Sequence, residues 1–154
     1  MNKEQEKYLY QYLSSLTEEE RKKYNSFSAD YFCSDEENAS ICAALILCGK
    51  KTATCSMKYW YESGLEFMPK ENHLQVVTNW NGKPTSIIEI IDVSECKFSD
   101  VSPEFAIAEG EGNKSLEWWR EAHWKFFSKE CSDQGLEPSK DMMLVLEKFK
   151  VVYS

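Results

Sequence analysis

Apolar and polar positions divide this chain into a helical first part and a β-rich remainder. Two hydroxyl-x-x-Glu patterns, Thr17-Glu18-Glu19-Glu20 and Ser34-Asp35-Glu36-Glu37, predict helix starts. In such a box the hydroxyl accepts from the N–H three residues on while the glutamate reaches back to the cap. After Ser34 the apolar residues Ile41, Cys42, Leu45, Ile46 and Cys48 keep helical spacing, and Gly49 stands where a left-handed residue would end the helix. That helix delivers the chain to Lys50-Lys51.

From Thr52 onward β-branched and aromatic residues take over, predicting strands over Thr52–Ser56, His73–Trp80 and Pro84–Phe98. Asn81-Gly82 supplies the hairpin turn between the last two. After the glycines at 110 and 112, Ser115 caps a further helix in which Leu116, Trp119, His123 and Phe126 or Phe127 form one stripe. That helix should lie against the barrel. Trp118, Trp119 and Trp124 cannot share one helix face, so at least one should line a pocket or cover the end of a barrel. The run Met142–Tyr153 closes the chain as a strand.

The length, 154 residues, suits one domain with its own core. The polar N-terminus lacks the apolar centre of a signal peptide, and no apolar run is long enough to span a bilayer, so the expected setting is the cytoplasm, away from membranes. Cys33, Cys42, Cys48, Cys55, Cys96 and Cys131 contain no C-x-x-C pair and are read as reduced thiols, with no zinc site. The net charge of −8 argues against a protein that coats long nucleic acids, whose affinity comes from accumulated Lys and Arg. A confined pocket can still be locally basic. Five Trp, eight Tyr and eight Phe provide either a dense core or stacking surfaces for bases.

Candidate chemistry starts at Ser86-Ile87-Ile88-Glu89-Ile90-Ile91, a run apolar on both faces with a carboxylate inside it. A buried Glu89 needs a partner, and Lys51 is the candidate cation, with Thr54 three residues further on. Strict alternation separates Lys51 from Thr54, so the grouping requires a bulge or a lysine that reaches around the strand end. Such a trio either ties the barrel mouth together as a buried ion pair with a nearby hydroxyl or lines a pocket. In a pocket, burial would lower the lysine's pKa and make it a base, Thr54 would supply a hydroxyl, and Glu89 would relay a proton.

Glu109-Gly110-Glu111-Gly112-Asn113-Lys114-Ser115 leads into a helix N-terminus, where anions bind well, though its two carboxylates weaken a phosphate-site reading. Their spacing also suits a divalent cation, but no third ligand is in view, so neither metal nor cofactor is assigned. His123 on its aromatic stripe reads as a hydrogen-bonded core residue, and His73 as a turn residue.

Gly49-Lys50-Lys51-Thr52-Ala53-Thr54 resembles the G-x-K-x-x-T signature of ASCH domains. The stretch from Glu109 to His123 is similar to the E-G-E-G-D-x-S-L-x-x-W-R-x-A-H segment of a longer bacterial subgroup, with Asn113 in place of its aspartate. The resemblance covers roughly Tyr31 to Tyr153. It implies an α+β, PUA-like mixed β-barrel of five to six strands flanked by helices over residues 31–154, preceded by a helical extension over residues 1–30. It also implies a cleft for RNA or a modified nucleoside, with Lys51 and Thr54 at its floor and Lys50, Thr52, Glu109, Glu111, Ser115, Trp119 and His123 around it. In some ASCH proteins a lysine, a threonine and a strand glutamate, matched here by Glu89, hydrolyse the acyl amide of an N4-acylated cytidine. Longer members have been linked to ribonuclease activity. The shared motif does not choose among hydrolysis of a nucleoside, cleavage of RNA and noncatalytic RNA binding. Monomer and homodimer both stay open.

Overall fold

A computed structural model describes all 154 residues, Met1–Ser154. The first helix, α1 (Lys3–Ser15), starts at a capping box unread in the sequence: Gln5 N–H donates to Asn2 Oδ1, and Asn2 N–H donates to Gln5 Oε1. Thr17 caps α2 (Glu18–Arg21) as its pattern predicts. At the second predicted start the cap moves one residue, because Asp35 rather than Ser34 accepts from Asn38 N–H to begin α3 (Glu36–Leu47). A carboxylate there also meets the positive end of the helix dipole.

Five strands form one mixed sheet: β1 (Phe27–Asp30), β2 (Ala53–Met57), β3 (Leu74–Thr78), β4 (Pro84–Lys97) and β5 (Met143–Tyr153). The order is β1-β3-β4-β5-β2, with β1 parallel to β3 and the other pairs antiparallel. β1 lies within the segment read as a helical extension. Its four residues carry too little pattern to identify a strand, and they are held by pairing with Leu74–Val77 far along the chain. The turn joining β3 to β4 uses Asn79 Oδ1 as acceptor for Asn81 N–H and Lys83 N–H, with Gly82 at φ +80°. Between the strands lie the short helix α4 (Tyr59–Glu62), then α5 (Pro103–Glu109) and α6 (Leu116–Asp133).

The side chains of β4 show why its centre is apolar on both faces. Ile87 packs with Leu9 and Tyr12 of α1, whereas Ile88 and Ile90 pack with Ala43 and Ile46 of α3. Ile91 does not join either group: the β4–β5 register shifts between Ile90 and Asp92, and the bulge leaves Ile91 46% exposed. A third cluster joins Trp119, Phe127 and Cys131 of α6 to Phe98, Ala53 and Leu144, so α6 packs against the strands β2 and β5. No helix is long and apolar enough to cross a membrane.

Candidate functional site

Lys51 is positioned by the end of α3. Gly49 takes φ +79°, and the chain folds back so that the N–H groups of Lys50 and Lys51 both donate to Leu45 C=O, at 2.9 and 3.0 Å. β2 begins only at Ala53, so Lys51 precedes the strand and its alternation does not govern where the side chain points. It points inward and is 2% exposed.

The partner of Lys51 is not Glu89. Its Nζ donates to Glu109 Oε1 at 3.1 Å and to Glu111 Oε2 at 3.2 Å. Glu109 ends α5, Gly110 turns the chain at φ +69°, and Glu111 follows, so both carboxylates reach one ammonium. A Cβ on Gly110 would lie 2.1 Å from Lys50 O, which shows how closely this turn crosses the α3–β2 junction. Thr52 N–H and Oγ1 strengthen the crossing by donating to Ala108 C=O, at 2.7 and 3.2 Å.

Glu89 stands in a different place, on the face of β4 that carries Ile87. It is buried there by Lys23 Nζ at 2.8 Å, Tyr24 Oη at 3.1 Å and Lys150 Nζ at 3.6 Å. Burial raises its pKa, but the lysines and the tyrosine outweigh burial and hold it below the usual range. The expected partner existed, but it came from the segment after α2 and from the neighbouring strand.

Glu109 is the most heavily bonded group of the cluster. Besides Lys51 it accepts from Trp119 Nε1–H and from Cys55 Sγ at 3.5 Å, and His123 Nε2 lies 3.2 Å from its Oε2. Burial pushes its pKa up, yet Lys51, His123 and Trp119 together bring it down to about 2. The His123 ring stacks on Trp119 with centroids 4.2 Å apart, and its Nδ1 lies 2.9 Å from Trp119 C=O. Both ring nitrogens therefore face acceptors, an arrangement met in full only by the protonated imidazolium. Burial works against that charge, but Glu109 outweighs it and the His123 pKa is raised. For Lys51 burial likewise opposes the charge, and the two glutamates overcome it and raise the pKa. The lysine is thus a fixed ammonium. The expectation that burial would make it a base gives way because two carboxylates share its charge.

Glu111 has more freedom, with its side chain 18% exposed. It accepts from Cys42 Sγ at 3.3 Å through Oε1, and Cys33 Sγ lies 2.9 Å from Cys42 Sγ. Hydrogen bonding to Cys33, then burial and Glu111, push the Cys42 thiol pKa up. Cys33 itself holds a left-handed φ of +72°, uncommon for a residue with a Cβ.

These groups border a cavity of about 230 Å³. Lys51, Thr54, Glu109, Glu111 and His123 all line it, and Trp118 and Phe126 form an aromatic wall. Trp118 packs on Gly112, where a Cβ would meet its ring at 2.1 Å. Of the other expected site residues, Lys50 is exposed, Thr52 is tied to Ala108, and Ser115 caps α6 by accepting from Trp118 N–H. Trp119 is buried behind the cavity, where its role is to hold Glu109. None of these four borders the cavity. His73, read as a turn residue, is half-buried, with Ser26 Oγ and Ser28 Oγ each 2.7 Å from a ring nitrogen.

Two groups have the donors and proximity to hold a metal: Cys33, Cys42 and Glu111, and Cys55, Glu109 and His123. In both, the carboxylate already serves Lys51. Spacing alone missed them because their members lie on separate elements.

A mixed five-stranded sheet with helices on both faces and a lysine–carboxylate pocket at a helix-to-strand junction define a small α+β domain of the PUA-like kind. The model of the ASCH domain matches residues 28–153, and the chain belongs to that family. The chain is similar to the crystal structure of an ASCH domain from Lactobacillus crispatus JV V101, at 58% identity, covering 100% of this chain and 97% of that one, with a TM-score of 0.97. It is also similar to a protein from Enterococcus faecalis V583, at 28% identity, covering 99% and 90%, with a TM-score of 0.84. A hypothetical protein at 15% identity and a TM-score of 0.54, with 83% and 100% covered, shares the fold alone. No curated protein matches the chain.

Proposed function

We propose that the chain binds a modified nucleoside, or a single RNA nucleotide, in the Lys51 pocket and hydrolyses an amide on its base. The observation that carries this reading is the charge balance of the cavity. Its two cations, Lys51 and His123, are matched by Glu109 and Glu111 within 3.2 Å, and no other Lys or Arg borders it. A lining so balanced suits a neutral heterocycle and a neutral acyl amide better than a phosphodiester strand. Trp118 and Phe126 offer faces on which a base can stack.

The roles follow from what each group can still do. Glu109 is saturated with donors and serves as the anchor. Glu111 borders the cavity and is partly exposed, so it is the carboxylate able to take a proton from an attacking water or from the Thr54 hydroxyl. The Lys51 ammonium stabilises the negative charge that develops on the acyl oxygen. Glu111 then returns the proton to the amine that leaves; where Thr54 is the attacking group, the acyl ester formed on its oxygen is released by a water that Glu111 deprotonates in the same way, regenerating the hydroxyl.

The test incubates the wild type, Glu111→Gln and Thr54→Val with a panel of N4-acylated cytidines and with single-stranded RNA, followed by chromatography of the products. Glu111→Gln keeps the shape of the side chain, whereas Lys51→Ala would leave two carboxylates without their cation and confuse folding with chemistry. The expected result is release of cytidine by the wild type and a loss of about 10²–10⁴-fold in Glu111→Gln, the usual range for a general acid–base group. Cleavage of RNA with the acylated nucleosides untouched would overturn the amide reading. Hydrolysis unchanged in Glu111→Gln would overturn the role of that residue.

A further inference from the structure

We infer that Cys33 and Cys42 form a redox-active dithiol on the wall of the pocket, which closes to a disulfide under a peroxide-class oxidant. Their sulfurs lie 2.9 Å apart, inside the contact distance of two unbonded sulfurs and about 0.9 Å beyond the S–S bond length. They come from different parts of the fold. Cys42 is buried in α3, and Cys33 sits in the β1–α3 connection, turned toward it by the left-handed backbone. Cys33 borders the cavity and is half-buried, so an oxidant reaches it first.

The same two thiols with Glu111 also make one of the candidate metal groups, and charge decides between the uses. A divalent ion there would sit beside the Lys51 ammonium, which lies 3.2 Å from the other oxygen of Glu111. Thiolates on tetrahedral zinc also stand about 3.8 Å apart, from Zn–S bonds near 2.3 Å, so the pair would have to open. A disulfide adds no charge and asks the sulfurs only to close.

The chemistry balances with hydrogen peroxide as oxidant. The Cys33 sulfur, as thiolate, attacks one peroxide oxygen; an S–O bond forms, the O–O bond breaks, and the departing hydroxide leaves as water, giving a sulfenic acid. The Cys42 sulfur then attacks that sulfur, forming S–S and breaking S–O. Glu111 Oε1, 3.3 Å from the Cys42 thiol, takes its proton and passes it to the departing hydroxide, which leaves as the second water. Closure removes the S–H donor from Glu111 and leaves that carboxylate to Lys51 alone. Oxidation would therefore alter the pocket, whichever ligand it takes.

The experiment treats the full-length wild type with hydrogen peroxide, alkylates remaining thiols after denaturation, and digests it unreduced after acidic residues, which separates Cys33 from Cys42. The expected product is a Cys33–Cys42 linked peptide with two hydrogens lost, with Cys48, Cys55, Cys96 and Cys131 all alkylated, and with full reversal by dithiothreitol. Cys33→Ser and Cys42→Ser should each give no linked species. Alkylation of all six cysteines after peroxide, a link that persists in Cys33→Ser, or protection of both thiols by stoichiometric zinc would overturn the assignment. Because the readout is a peptide mass, it stands apart from the hydrolysis assay.

Discussion

At the scale of single residues the pocket is an ion cluster that charges Lys51 and His123 while holding Glu109 ionised. Lys51→Met leaves Glu109 and Glu111 without their main cation, one of them 2% exposed, and should cost about 3–5 kcal/mol in urea denaturation. Adding Glu109→Gln to that variant removes the stranded charge, so the double variant should be more stable than the sum of the two single losses predicts. The pH dependence has two signs. Glu109 is depressed to about 2, so its contribution is complete above the ordinary carboxylate value of 4.5 and is lost as the pH falls toward 2. His123 is raised above 6.5, so its contribution is complete below 6.5 and is lost as the pH rises through the folded value. His73 is shifted the other way by burial and Lys70. An NMR titration of the two histidines should therefore place His123 above 6.5 and His73 below it.

At the scale of elements, the glycines divide into those that need only a left-handed backbone and those that also need space. Gly49→Ala meets no atom within 4 Å and should cost about 1–2 kcal/mol from backbone strain alone. Gly110→Ala adds a collision with Lys50 C=O that only backbone movement can relieve, so its thermal midpoint should fall further than that of Gly49→Ala. Equal losses would show that the turn is not locked against the α3–β2 junction. Local signals of this kind made much of the fold legible: the Thr17 cap, the α3 stripe ending at Gly49, the Asn81-Gly82 turn and the long β4 were all readable from neighbours in the chain. Parallel pairing of β1, the cap at Asn2, and α5, which begins at Pro103, do not show in the pattern of apolar and polar positions. The site was half legible. Thr54 lies three residues beyond Lys51, but the carboxylates that complete the cluster lie 58 and 60 residues beyond it, where the local pattern signals only the approach to a helix. Glu89 was rightly expected to be buried and paired, and period-two alternation on β4 puts it on the α1 face, with Lys23.

Over the whole molecule, the N-terminal helix α1 is part of the core. Leu9 and Tyr12 cover Leu74, Val76 and Ile87, so Leu9→Ala should cost about 2–5 kcal/mol, and a chain shortened to begin after α1 should unfold or aggregate. With a net charge of −8 and a charge-balanced cavity, affinity for a nucleoside should change little between low and physiological salt. A steep loss with salt would instead indicate contacts to several phosphates. The most direct measurement of the central claim uses the only two histidines of the chain as internal probes, because His123 borders the Lys51 cavity and His73 lines a different one. On titration with N4-acetylcytidine, followed by NMR on Glu111→Gln to slow turnover, the His123 resonances should shift saturably while those of His73 stay in place. A saturable shift at His73 alone, or at neither ring, would contradict the assignment of this pocket to a modified nucleoside.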